Sequence, residues 1–164
     1  MQKLSHPFNP IVFSNSQTLI LGSFPSIDSF ENSFYYAHPR NQFWKILSKI
    51  TSYPVNNKDQ KIWLLKEHNL ALWDMVKSCQ RENSLDSSLK NIEVNDIKSL
   101  LNSYPNITKI AFTGRKSQQL FNRYFKDIDI ETTYLPSPSP AYAKLSFEEK
   151  AKIYKERLKS SKEF

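Results

Sequence analysis

The stretch "TLILGSFPS" at residues 18–26 decides the fold. Its first five residues form a short uncharged run that ends on a glycine, the pattern of a buried strand stopping at a turn. Gly22 and Pro25 then set a tight, fixed exit, because proline locks φ and removes a backbone donor. In an α/β sheet such an exit delivers a loop to the carboxyl edge, where ligand crevices form.

Outward from that strand, strands and helices alternate. Phe43, Trp44, Ile46, Leu47 and Ile50 fall at helical spacing from Asn41 onward, and Pro54 closes the segment. Residues 59–68 read as a second helix with Asp59 as candidate N-cap. "LALW" at 70–73 reads as a strand, and the polar stretch 74–91 as irregular. Asn95 is a candidate N-cap for a helix running to Asn102, before Pro105. "ITKIAFT" at 107–113 reads as a third strand, Gly114 turns it into a helix through Phe125, and "IETTYL" at 130–135 reads as a fourth strand. "PSPSP" at 136–140 is excluded from regular structure. Residues 146–159 form a last helix, with Ser146 and Glu149 in a capping-box pattern. The alternation predicts an α/β fold: a three-layer α/β/α sandwich around a mainly parallel four-stranded sheet, as one domain over residues 1–164.

The totals narrow the function. A chain of 164 residues can bury a core without disulfides or metals. A formal charge of +7 favours an anionic partner, nucleic acid before a membrane surface. Much of that excess comes from the Lys-rich run "EEKAKIYKERLKSSKEF", which reads as a solvated helix. Cys79 is the one cysteine, so no disulfide or thiolate zinc site forms within the chain, and the count suits a reducing cytosol. His6, His38 and His68 are scattered without ligand spacing, so no metal is expected. "MQKLSHPFNP" lacks the apolar core of a secretion signal, and no segment is long enough to span a bilayer. The expectation is a cytoplasmic monomer.

This topology gathers three polar loops at one rim: residues 23–40, 114–117 and 136–142. The chain has two glycines, Gly22 and Gly114, which excludes a Gly-rich phosphate cradle. In "YYAHPRNQFW" at 35–44, Phe43 and Trp44 read as core. Asn41 is either a helix N-cap or an uncharged amide that holds a water or a base edge. Tyr35 or Tyr36 could stack on a planar ligand, and Arg40 could meet a phosphate. In "LPSPSPAY" at 135–142, two prolines flank Ser137 and fix the serine hydroxyls in place, which suits gripping a nucleic-acid backbone. A serine hydrolase is disfavoured, because there is no G-x-S-x-G elbow and His38 is the only histidine of the rim loops.

Taken together, "LILGSFPS", "YYAHPRNQFWKIL" and "TYLPSPSPA" resemble the uracil-DNA glycosylase superfamily. "AHPRNQFWK" at 37–45 is similar to the matching stretch of the mismatch-specific uracil/thymine glycosylases. The whole pattern looks most like the hypoxanthine-DNA glycosylase (DNA-deoxyinosine glycosylase) family, from the first strand to the last helix. Three positions depart from relatives. Phe24 stands where uracil-specific branches carry a water-positioning Asp or Asn. Leu135 stands where many relatives open the serine loop with His, and Thr113-Gly114 replaces the Asn-Gly pair of the hypoxanthine branch. The resemblance implies a monofunctional repair enzyme that flips a deaminated base, hypoxanthine first, from double-stranded DNA and hydrolyses its N-glycosidic bond. It implies Asn41 as the catalytic residue, with Ser23, Phe24, Tyr36 and Thr113 forming the base pocket. Ser26, Arg40, Gly114, Arg115, Lys116, Ser137, Ser139 and Tyr142 would contact DNA, and the segment 139–142 would fill the gap in the duplex. No metal or cofactor is implied. The alternatives are a uracil or mismatch-specific glycosylase, a DNA-binding module with a degenerate pocket, and an α/β enzyme acting on a small nucleotide.

Overall fold

The structure is a computed structural model that describes residues 3–159. The ends of the expected 1–164 domain, including the last residues of the Lys-rich run, lie outside the described residues. Four strands, β2 (Thr18–Gly22), β3 (Leu70–Asp74), β6 (Lys109–Thr113) and β7 (Glu131–Leu135), form a sheet in the order β3-β2-β6-β7. Every neighbouring pair is parallel. The register sets Gly22 opposite Asp74 and Thr113 opposite Leu135, so the strands finish together at one carboxyl edge.

Alternation along the strands sorts their side chains between two layers. Ile20, Leu70, Leu72 and Ala111 pack on one face with α2 (Phe43–Thr51), α3 (Lys58–Glu67) and α6 (Phe147–Leu158). Leu19, Leu21, Ala71, Ile110 and Phe112 pack on the other with α4 (Ile97–Ser103) and α5 (Arg115–Tyr124). Both faces being covered is why "TLILG" carries no charge. This is the expected three-layer sandwich. Phe43, Trp44, Ile46, Leu47 and Ile50 are buried on α2, as their spacing requires. The Ser146–Glu149 capping box forms at the start of α6. Among the described residues no helix is long and apolar enough to cross a membrane.

Several local readings are corrected. Residues 74–91 are not irregular throughout: β4 (Val76–Gln80) pairs antiparallel with β1 (Leu4–Ser5) and with β5 (Lys90–Val94), a second sheet on the α4/α5 side. Its pattern was hidden because bulges shift the register twice and β5 exposes Lys90, Asn91 and Glu93. The cap of α3 is Asn57, whose Oδ1 accepts from the Gln60 N–H at 2.8 Å, so Asp59 falls in the first turn. The cap of α4 is Asp96, which accepts from the Ser99 N–H at 3.0 Å. Asn95 is instead buried, with Nδ2 donating to the Asp74 carbonyl at 2.8 Å. A short helix α1 (Ile27–Asn32), capped by Ser26, was not foreseen.

Candidate active site

The carboxyl edge of the sheet opens into a pocket of about 320 Å³. Gly22 forms its floor because nothing larger fits. A Cβ there would lie 2.5 Å from Asp74 Oδ1, 3.0 Å from the Tyr36 hydroxyl and 3.3 Å from Thr113 Oγ1. The missing side chain therefore lets three polar groups from three chain segments converge. Tyr36 and Thr113 share a hydrogen bond at 2.9 Å. Burial, reinforced by the charge of Asp74, pushes the Tyr36 phenol far above its usual range, so it stays a neutral hydroxyl. One face of the Tyr36 ring stacks on Phe43 at 3.9 Å, and its backbone is left-handed at φ 53°. That conformation is costly for a tyrosine, and the stacked ring and bonded hydroxyl hold it.

Asp74 is paired. Its Oδ2 lies 2.8 Å from His6 Nε2, and both side chains are almost fully buried. The His6 ring is oriented by Phe8, whose carbonyl lies 2.9 Å from Nδ1. Beside this pair, the Ser23 hydroxyl donates to Asp86 Oδ1 at 2.5 Å. Burial raises the Asp86 carboxyl above its ordinary value, against the Ser23 hydrogen bond and the nearby Arg81 charge. Arg81 lies over the Phe24 ring at 5.2 Å and donates to the carbonyls of Pro25 and Asn83. Phe24 is itself buried and lines the pocket.

Across the pocket stand Asn41 and the serine loop. Asn41 lines the pocket and its Oδ1 accepts from the Phe43 N–H at 2.9 Å, but the N-cap of α2 is Gln42, one residue later than expected, with no side-chain cap bond. The second lone pair of Oδ1 and the Nδ2 donors are left for a ligand. In the serine loop, Ser137 Oγ accepts from the Ser139 N–H at 3.2 Å and Ser139 Oγ from the Ala141 N–H at 3.2 Å.

Ser23, Phe24, Ser26, Tyr36, Asn41, Thr113, Ser137, Ser139 and Tyr142 are thus brought together around one pocket. Ser26 also spends its hydroxyl capping α1, accepting from the Ser29 N–H at 3.1 Å. Four other expected residues do not line it. Arg40 is exposed outside. Gly114 is buried in the turn into α5, at φ 86°. Arg115 stacks over the Tyr134 ring at 5.5 Å. Lys116 stands off the lining, near enough to Asp86 to favour its carboxylate. Sequence reasoning missed His6, Asp74, Arg81 and Asp86. Asp74 carried a usable signal, an acid at the carboxyl end of a buried strand. His6, Arg81 and Asp86 reach the site from the second sheet and its loop, which were not read as structure. Among the described residues no group of three or more His, Cys, Asp or Glu side chains could hold a metal ion.

Comparison with known proteins agrees with this geometry. Residues 10–159 match the Uracil DNA glycosylase superfamily. The chain is 33% identical over 141 residues to the Hypoxanthine DNA glycosylase of Methanosarcina acetivorans, covering 85% of this chain and 89% of that protein. It is 33% identical over 136 residues to the Hypoxanthine DNA glycosylase of Methanosarcina barkeri, covering 82% and 85%. A solution NMR structure from Methanosarcina acetivorans, of a protein assigned as a uracil DNA glycosylase, superposes with a TM-score of 0.79 at 30% identity, over 96% of this chain and 99% of that one. Matched by the family over residues 10–159 and by relatives over most of its length, the chain belongs to the uracil DNA glycosylase superfamily.

Proposed function

We infer that this chain is a base-excision-repair DNA glycosylase that hydrolyses the N-glycosidic bond of deoxyinosine, releasing hypoxanthine. The observation that carries this reading is the convergence of Asn41, Phe24 and Ser137 on one pocket, in a chain similar over most of its length to proteins named for that activity. The substrate is a deaminated base in double-stranded DNA, turned out of the stack into the pocket. The reading extends to a cytoplasmic monomer folded as one domain.

Water adds to C1′ as the bond to the base breaks. The bonding pair leaves with the base, which takes up a proton, and an abasic sugar remains. Positive charge develops on the sugar and negative charge on the leaving base, so preorganised dipoles contribute more than a strong base would. Asn41 orients the water, its amide fixed by the Phe43 N–H. Phe24 or Tyr36 stacks on the base, each ring already having a neighbour over it, Arg81 for Phe24 and Phe43 for Tyr36. Backbone N–H groups at Ser23 and Phe24 meet the base oxygen. Hypoxanthine presents a ring N–H where adenine presents a bare nitrogen, and the carboxylate of Asp74, held by His6, accepts that N–H. Ser137 holds the target phosphate. Catalysis is monofunctional: a lyase needs an amine nucleophile, and among the described residues no lysine lines the pocket.

The test is base release from duplexes carrying one deoxyinosine or one deoxyuridine, by wild type and Asn41→Ala. We expect deoxyinosine to be the better substrate and Asn41→Ala to lower its release by about 10²- to 10³-fold. Equal rates for the two proteins would remove Asn41 from the mechanism.

A further inference from the structure

We propose that Asp86 is the acid that protonates N7 of the departing hypoxanthine, and that this contact selects a purine over uracil; the proposal deepens the glycosylase reading above and rests on it. Among the described residues, Asp74 and Asp86 are the two carboxyl groups lining the pocket. Their settings differ. Asp74 is held through Oδ2 by His6 at 2.8 Å. Asp86 is held through Oδ1 by the neutral hydroxyl of Ser23 at 2.5 Å. Two carboxyl groups in one site with unlike partners are suited to divide the acid and acceptor roles between them.

The chain sets these groups in a row. Strand β2 ends at Gly22 opposite Asp74, whose Oδ1 lies where a Cβ of Gly22 would be. Ser23 and Phe24 follow, and Ser23 carries the bond to Asp86. Hypoxanthine has a matching row along one edge: the N–H at N1, the oxygen at C6 and the bare nitrogen N7. With N1–H on Asp74 and the oxygen on the amides of Ser23 and Phe24, N7 comes next, on the side of Asp86. Uracil offers the same first two groups and then a C–H, which accepts nothing. An acid at Asp86 therefore has a partner only in the purine.

With Oδ1 accepting from Ser23, the proton of the acid form lies on Oδ2. The groups that face Asp86 are Ser23, Arg81, Asp74, Lys116 and the Tyr36 phenol. Arg81 is occupied by the Pro25 and Asn83 carbonyls and lies over the Phe24 ring. Burial and the charge of Asp74 outweigh Ser23, Arg81 and Lys116, and hold the carboxyl above its ordinary value. The step balances. The Oδ2 proton passes to N7, the C1′–N9 bonding pair goes to the base, and the base leaves neutral. Water gives its hydroxyl to C1′ and its proton to solvent, and solvent returns a proton to Asp86. The charge that would build on the leaving base is neutralised as it forms.

The experiment measures single-turnover release from deoxyinosine and deoxyuridine duplexes, with duplex affinity alongside, from about pH 5 to about pH 9. It uses wild type, Asp86→Asn and Ser23→Ala. Wild-type release of hypoxanthine should quicken as pH falls, because the acid form gives the proton. Asp86→Asn keeps the shape and a donor for N7 but has no proton to transfer. It should bind the deoxyinosine duplex within about twofold of wild type, release hypoxanthine about 10²-fold more slowly, and lose the pH dependence. Its release of uracil should change by less than about twofold. Ser23→Ala removes a bond that favours the carboxylate, so the same pH limb should move to higher pH. The proposal is overturned by a wild-type rate in Asp86→Asn, or by a slow variant that keeps the wild-type pH limb. Affinity falling as far as the rate, or an equal loss on deoxyuridine, would make Asp86 a pocket wall and overturn it too. Absence of release by the wild type at every pH is a separate result, which overturns the glycosylase reading and this inference with it.

Discussion

The two loops that face each other across the pocket are fixed by different means. The serine loop, residues 136–142, is stiffened by three prolines and then tied at intervals to its neighbours. The Tyr154 hydroxyl donates to the Pro136 carbonyl at 2.6 Å, the Gln42 N–H to the Pro138 carbonyl at 3.0 Å, and Lys150 Nζ to the Tyr142 carbonyl at 2.8 Å. The loop at 81–88 has no proline. It is held by the guanidinium of Arg81, by the Ser23–Asp86 hydrogen bond and by Asn83 and Ser88. A loop stiffened by its own backbone loses little when one partner is removed. A loop held by buried charge depends on each charged member.

That contrast is broken or kept most clearly by stability. Arg81→Leu removes a buried cation that serves the Pro25 and Asn83 carbonyls and balances Asp86; Asn83 keeps the Ser88 hydroxyl and Asp86 keeps the Ser23 hydroxyl, but the Pro25 carbonyl loses its donor and Asp86 its counter-charge. The expected cost is about 3 kcal/mol, seen as a fall of about 10 °C in melting temperature. Ser137→Ala, across the pocket, loses one hydrogen bond in a loop its prolines still hold and should cost less than about 1 kcal/mol. Similar losses in the two variants would show that both rims are held alike.

Lys150 supplies a smaller effect of a different kind. It is 1% exposed, yet its ammonium bonds only neutral groups, Gln42 Oε1 at 2.9 Å and the Tyr142 carbonyl. It therefore ties the serine loop to the start of the helix next to Asn41. Lys150→Met keeps the packing and removes the cost of burying the charge, so stability should change by no more than about 1 kcal/mol. Activity should suffer more, with release falling about tenfold on duplex and single strand alike, because the phosphate grip and Asn41 lose their shared anchor. A loss confined to the duplex would assign Lys150 to strand separation instead.

The same contrast explains what was legible beforehand. Prolines and serines at 136–142, the uncharged run at 18–22 and the helical spacing after Asn41 are local signals, and each led to its element. The sheet order followed because alternating strands and helices leave few parallel arrangements. Asn41 was legible as a residue of the rim but not as the cap: Gln42 is the N-cap, and Asn41 lines the pocket with its Oδ1 accepting from the Phe43 N–H. Arg81, Asp86 and His6 were not legible, since what fixes them is 56, 63 and 68 residues away in the chain. Nothing near Asp86 announces that Ser23 will meet it. Lys116 and Arg115 were legible as positive charge after a strand, but helical geometry sets both beyond the pocket lining.

The smallest effect separates the rims by pH. Burial raises the Asp86 carboxyl above its ordinary value of 3.8, with Asp74 pushing the same way and Ser23, Arg81 and Lys116 opposing. A raised value means the folded protein holds that proton to higher pH than the unfolded chain does. Its contribution to stability is full below 3.8 and is lost as pH rises through the raised value. Glu149, which caps the helix carrying Lys150, has the opposite sign. The Ser146 N–H and hydroxyl hold its carboxyl below the ordinary 4.5, so its contribution is present above 4.5 and is lost as pH falls through the lowered value. Melting temperatures of wild type, Asp86→Asn and Glu149→Gln across the acid-to-neutral range isolate each group by difference. Relative to Asp86→Asn, the wild type should lose ground as pH rises; relative to Glu149→Gln, it should gain. Two differences moving in the same direction would mean that Asp86 is held as a carboxylate by Ser23 and Arg81, and that hydrogen bonding rather than burial governs the loop at 81–88.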